Sequence, residues 1–237
     1  MNRRHHFRLV FGLALAATAL GCSAPGSTPP PGSQTGSSSG GGSSGASSSG
    51  SAGDDGGPLG IPFTVSDDFV PSGFMGDSPT DFNSITMSAD TSACPSRAPG
   101  AVGACYSVAW TPTFGPQATS AWVGVYWQYP SNNWGALPGK PVSAGATKVS
   151  FAAMGAKGGE VIKFLAGGVN ATGGNPSLTN ADSFSATTSV TLTSSWATYE
   201  VPLSGDTYTS VIGAFAWTIT TSATDPIAFY VDDIVWE

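Results

Sequence analysis

The densest chemistry in this sequence lies in one segment, Trp122-Val-Gly-Val-Tyr126-Trp-Gln128-Tyr-Pro-Ser-Asn-Asn133-Trp134. In an extended strand, side chains alternate between two faces. Val123, Val125, Trp127 and Tyr129 then share one face, and the valines mark it as core. Trp122, Tyr126 and Gln128 share the other. That second set pairs flat aromatic rings with an amide, which is what a neutral sugar needs. Rings stack on the apolar C–H faces of a pyranose, while Gln and Asn offer fixed donors and acceptors to its hydroxyls. Asn133 and Trp134 lie in a loop just beyond the strand and can flank the same surface. Trp122, Tyr126, Gln128, Asn133 and Trp134 are therefore the candidate ligand-binding residues. The remaining tryptophans Trp110, Trp196, Trp217 and Trp236 read as packing residues, the usual role of Trp in a β-domain.

Catalytic chemistry is poorly supplied. Both histidines (His5, His6) and three of the four arginines (Arg3, Arg4, Arg8) fall in the first eight residues. Without that end, the basic residues are Arg97, Lys140, Lys148, Lys157 and Lys163 against fifteen acidic ones, so the net charge moves from −7 to about −10. Ser-His-Asp and Cys-His catalysis and His-ligated zinc sites then lack their histidine. Nucleic-acid binding lacks its basic patch. Glycoside hydrolysis needs two positioned carboxylates. Glu160 sits in a Gly-Gly-Glu turn, and Glu200 points outward from a strand with no visible partner. The reading is a non-enzyme with an uncharged ligand. The sequon Asn170-Ala-Thr172 is read as incidental.

The elements that must position these residues are β-strands. No amphipathic helix is evident. Segments rich in Val, Ile, Thr, Tyr, Phe and Trp recur between turn signals. The clearest span 102–110, 121–129, 147–154, 161–166, 189–193, 198–203, 212–220 and 227–236. Short strands at this spacing predict an all-β fold, a jelly-roll β-sandwich of two antiparallel sheets over residues 61–237.

Ahead of that domain lie a basic stretch, Met1–Arg8, and an apolar run, Leu9–Leu20. At about twelve residues the run is too short for a bilayer span of roughly 20 and reads as an export signal. Ala19-Leu20-Gly21-Cys22 resembles the bacterial lipoprotein signal, which implies a signal peptide at 1–21 and lipid on Cys22. Ser23 at the next position implies an outer-membrane or cell-surface address. Residues 22–60 are mostly Ser, Gly, Pro, Ala and Thr and read as a disordered tether, with an r.m.s. span of about 33 Å. Three cysteines are an odd number. With Cys22 assigned to lipid, Cys94 and Cys105 remain as a disulfide pair in an oxidising compartment, contributing roughly 2–3 kcal/mol.

A wider resemblance rests on the order of several pieces. Asp67-Asp68-Phe69 opens the domain, Gly145-Ala-Thr-Lys-Val-Ser-Phe151 and Trp196-Ala-Thr-Tyr-Glu-Val-Pro-Leu203 lie inside it, and Ile227-Ala-Phe-Tyr-Val-Asp-Asp-Ile-Val-Trp-Glu237 closes it. Together they resemble jelly-roll carbohydrate-binding modules of the galactose-binding-like sort. The resemblance implies a structural Ca²⁺ where first and last strands meet. Asp67, Asp68 and Asp232 are its expected ligands, with Asp77 and Asp233 as helpers, since crowded carboxylates need a cation and oxygen ligands suit Ca²⁺. The partners expected are a neutral glycan and, through the lipid, a membrane, with the protein itself monomeric. The alternative is a structural or adhesive lipoprotein whose sandwich binds a protein.

Overall fold

The structure is a computed structural model. It describes residues 57–237 apart from 90, 91, 93, 99 and 170–178. The expected signal peptide, Cys22, nearly all of the tether and the 170–172 sequon lie outside the described residues.

Six strands form one sheet and five form another, all antiparallel. The six-stranded sheet runs β10 (Ala197–Pro202), β7 (Lys148–Gly155), β13 (Ile227–Trp236), β4 (Tyr106–Trp110), β3 (Thr86–Ser88), with β1 (Phe63–Thr64) also paired to β13. The five-stranded sheet runs β2 (Val70–Gly76), β5 (Ala121–Gln128), β12 (Gly213–Thr221), β8 (Val161–Gly167), β9 (Ser185–Thr191). A small pair, β6 (Lys140–Pro141) with β11 (Ser210–Val211), lies outside both. Helix is confined to two single turns, α1 (Val65–Asp68) and α2 (Pro79–Asn83). Ser78 caps α2, its hydroxyl accepting the Asp81 N–H, and Pro79 follows at the first helical position.

All eight strands expected from alternation are present. The pleat sorts their residues as read: Val123, Val125 and Trp127 of β5 join Val149 and Phe151 of β7 and Phe229 and Val231 of β13 in one core. Ring contacts cross between the sheets. Phe151 meets Phe164 at 4.4 Å, Tyr106 meets Trp127 at 5.0 Å and Trp217 meets Phe229 at 5.2 Å between centroids. Trp236, at 0% exposure, also donates its indole N–H to the Ala214 carbonyl of the other sheet, 2.9 Å away. This bond ties the two layers, whereas the buried indole N–H groups of Trp110, Trp127 and Trp217 have no acceptor among the described residues.

Candidate functional site

The two sheets differ on their outer faces. Over the six-stranded sheet lies the segment 94–105, closed by the Cys94–Cys105 disulfide. Arg97 reaches from it to Asp232 of β13, its Nε 2.6 Å from Oδ2 and its terminal nitrogen 2.9 Å from Oδ1. The same nitrogen donates to the carbonyls of Val102 and Gly103. Trp196 donates its Nε1–H to the Pro95 carbonyl at 2.7 Å and packs beside Tyr230. Asp233, at φ 51°, accepts the Val102 N–H.

These contacts engage the carboxylates that were expected to hold calcium. First and last strands do meet, as β1 pairs with β13, but the carboxylates are dispersed into separate interactions. Asp232, 2% exposed, has its charge matched by Arg97. Asp68 pairs with Lys140 at 3.1 Å. Asp67 is exposed. Asp77 accepts the Trp122 N–H at 3.0 Å. No group of three His, Cys, Asp or Glu side chains among the described residues is placed to hold a metal. The residues present do not fit a Ca²⁺ site at this place: Asp232 and Asp68 are matched by the side-chain cations Arg97 and Lys140, while Asp77 and Asp233 accept backbone N–H groups.

The outer face of the five-stranded sheet is different. Cross-strand pairs put Gly73 and Met75 of β2, Trp122, Gly124 and Tyr126 of β5, Ala216, Thr218 and Thr220 of β12 and Lys163 and Leu165 of β8 on it. β9 continues it with Thr187, Ser189 and Thr191. Thr220, Lys163, Thr187, Ser189 and Thr191 are exposed, while Trp122, Met75, Leu165 and Thr218 are half-buried. A strip of apolar side chains therefore runs beside rows of hydroxyls, with Lys163 its one cation among the described residues.

One end of this face is closed by its own small core. Tyr126, Val169, Ile212 and Ala216 pack together there, with Met75 and Leu165 against them. Asp182 fastens that end: its carboxylate accepts the N–H groups of Ile212 at 2.6 Å, Val169 at 3.0 Å and Gly213 at 3.2 Å. Burial pushes its pKa up to about 6, against the pull of those three donors. The Tyr126 hydroxyl is pushed up to about 12, by burial first and then by the charge on Asp182.

The five expected ligand residues divide here. Tyr126 (6% exposed), Gln128 (0%) and Asn133 (3%) are inside the protein, which removes them from the accessible surface. Gln128 lies against Gly73, where any Cβ would fall 2.7 Å from its amide. It accepts the Ser72 hydroxyl at 3.3 Å. Asn133 braces its loop: Nδ2 donates to the carbonyls of Tyr129 and Leu137, and Oδ1 accepts the N–H groups of Gly135 and Leu137. Trp122 stays half-buried on the open face. Trp134 stands 36% exposed, its ring meeting Tyr126 edge-on at 6.0 Å. Its indole N–H has no acceptor among the described residues. Asp182 was not singled out by the sequence, since a lone Asp in a polar loop carries no spacing signal.

No protein-family model matches the chain, and no curated protein matches it. Solved structures do. The chain is similar to the family 30 carbohydrate-binding module of a cellulosomal cellulase of Clostridium thermocellum, at 16% identity over 74% of this chain and 96% of that one, with a TM-score of 0.44. It is similar to a family 11 module from the same organism in complex with a β-1,3-1,4-mixed-linked tetrasaccharide, at 17% identity over 69% and 86%, TM-score 0.39. It is also similar to a family 61 module in complex with β-1,4-galactotriose, at 16% identity over 71% and 88%, TM-score 0.36.

Proposed function

We propose that this chain is a non-catalytic, surface-tethered module that binds an uncharged poly- or oligosaccharide on the outer face of its five-stranded sheet, with Trp134 and Trp122 as the contact aromatics. One observation carries the reading. Trp134 is held on a loop that Asn133 braces with four hydrogen bonds, yet it stays 36% exposed and its N–H has no acceptor among the described residues. An exposed but fixed indole contributes stacking area and a donor at low ordering cost. The Thr and Ser rows beside it supply hydroxyl partners, and the near-absence of charge on the face suits a neutral ligand.

Binding without turnover fits the carboxylates. Glu200 pairs with Lys148 on the opposite sheet, and Glu160 caps the turn after β7 by accepting the Lys157 N–H. Lipid on Cys22 and the Gly/Ser-rich stretch complete the reading, holding a monomeric domain at the outer membrane or cell surface.

Native affinity electrophoresis in gels of lichenan, glucomannan, galactomannan and β-1,4-galactan tests it. The wild-type protein is retained by at least one of them. Trp134→Ala weakens that retention by at least about tenfold, with stability changed by less than about 1 kcal/mol. Equal retention of variant and wild type removes Trp134 from the site. A folded wild type that none of these gels retains favours the adhesive alternative.

A further inference from the structure

Six large hydrophobic side chains stand exposed among the described residues, and four of them belong to two segments of the chain. Val70 and Phe74 are on β2, the edge strand of the five-stranded sheet, and Trp134 and Leu137 are on the loop that follows its neighbour β5. Phe74 points away from the outer face. It opposes Val125 of the core, yet at the sheet edge it remains 37% exposed. It opens instead into a groove of about 380 Å³ that also reaches α2. Phe74, Phe82 and Trp134 line it with rings, Asn83 and Asn132 with amides and Ser72 with a hydroxyl; the remaining lining residue is aliphatic. No lining side chain is ionisable. The polar rim is held in place, because Ser72 accepts the Asn132 N–H at 2.8 Å while donating to the buried Gln128.

Exposed apolar side chains on an edge strand can also invite a protein strand. β2 is poorly built for that. Pro71 has no N–H to give, and a bulge between Pro71 and Gly73 breaks the regular edge. Rings interleaved with amides, in a groove without charge, suit a sugar better than a peptide backbone.

Trp134 belongs to both regions: its ring lies against Tyr126 of the outer face and it also lines the groove. We propose that the groove is a second contact segment for the same uncharged glycan, which passes over Trp134 from the face around β2. The protein thereby selects internal stretches of a long chain over single sugars and short ends. This rests on the outer face being a glycan site. The face and the groove can be tested separately, because Trp122 belongs only to the face and Phe74 and Asn83 only to the groove.

The experiment uses the full chain and the variants Phe74→Ala, Asn83→Ala and Trp122→Ala, each checked for wild-type circular dichroism. The probes are the four polysaccharide gels above, followed by calorimetry with oligosaccharides of the retained polymer, from the disaccharide upward. Wild-type affinity is expected to climb with chain length. Phe74→Ala is expected to flatten that climb, matching wild type on the shortest ligands and falling about tenfold behind on the longest. Asn83→Ala falls behind in the same direction by less. Trp122→Ala weakens binding at every length. Groove variants that match wild type at all lengths, with Trp122→Ala still impaired, overturn the groove and leave the face standing. A wild type retained by none of the gels, or three variants that all bind as wild type, overturns both. Loss of self-association or protein capture in Phe74→Ala, with glycan retention unchanged, makes the groove a protein site and overturns the proposal.

Discussion

Trp196 and Trp134 sit on the outer faces of the two sheets, and their indole nitrogens are used differently. On the six-stranded sheet, Trp196 donates to Pro95 at 2.7 Å and lies under a disulfide-closed segment. On the five-stranded sheet, Trp134 is positioned by its neighbour Asn133, and its own donor has no acceptor among the described residues. The first face satisfies its polar groups within the protein, down to a bidentate Arg97–Asp232 pair. The second fixes its backbone internally and leaves side chains unspent. An aromatic ring alone does not distinguish the two. What distinguishes them is whether the supporting hydrogen bonds consume the ring's own polar atom.

The largest effect that tests this contrast is on the closed face. Arg97→Ala strips Asp232, 2% exposed, of its cation and releases the carbonyls of Val102 and Gly103. Removing one partner of a buried pair leaves an uncompensated charge. Stability is expected to fall by about 3–5 kcal/mol in urea unfolding. Polysaccharide retention of the remaining folded protein should be unchanged. If retention falls with stability, the two faces are not functionally separate.

Much of the closed and buried structure was legible in the sequence, and the coverage of surfaces was not. Alternation placed Val123, Val125 and Trp127 inside, since period 2 fixes which residues share a face. An odd cysteine count isolated Cys94 and Cys105. By contrast β2, Val70-Pro-Ser-Gly-Phe-Met-Gly76, is not among the expected strands, and it carries Pro and two Gly in seven residues. It is a strand because an edge position and a bulge tolerate both. Gln128 was assigned to the correct side of β5 yet lies at 0% exposure. Alternation names a face but not what folds over it. The carboxylates at the chain ends were expected to need a metal. The cation that meets Asp232 is Arg97, 135 residues away and placed by the disulfide-closed segment.

An intermediate effect separates the faces by pH. Asp182 fastens the closed end of the open face, and its pKa is raised from 3.8 to about 6 in the folded protein. Between those values the native state binds more protons than the unfolded chain, so stability falls as pH rises from about 4 to about 6 and then levels. The change is no more than about 3 kcal/mol. Asp81 and Glu237, both lowered, act in the opposite sense below their ordinary values of 3.8 and 4.5, outside most of this window. Urea unfolding at successive pH values should show the decline, and Asp182→Asn should flatten it whatever that variant's absolute stability. A decline that persists in Asp182→Asn belongs to another group.

The smallest effect concerns the disulfide. Cys94 and Cys105 are eleven positions apart, so the loop they close is short and its removal should cost about 2–3 kcal/mol. That is less than the Arg97 change, because the covalent link mainly restricts the unfolded chain, while Arg97 neutralises a buried charge in the folded one. A Cys94→Ser/Cys105→Ser double variant separates the two contributions. If the segment is held chiefly by Arg97, Trp196 and Asp233, the double variant keeps the Arg97–Asp232 pair and remains folded at 25 °C. Adding Arg97→Ala to it then costs about as much as in the disulfide-bonded protein. If instead the Arg97 contribution vanishes once the bond is gone, the ion pair exists only because the disulfide delivers it. The closed face would then be a covalent construction. In either case the proposed glycan site at Trp134, on the other side of the sandwich, should keep its retention.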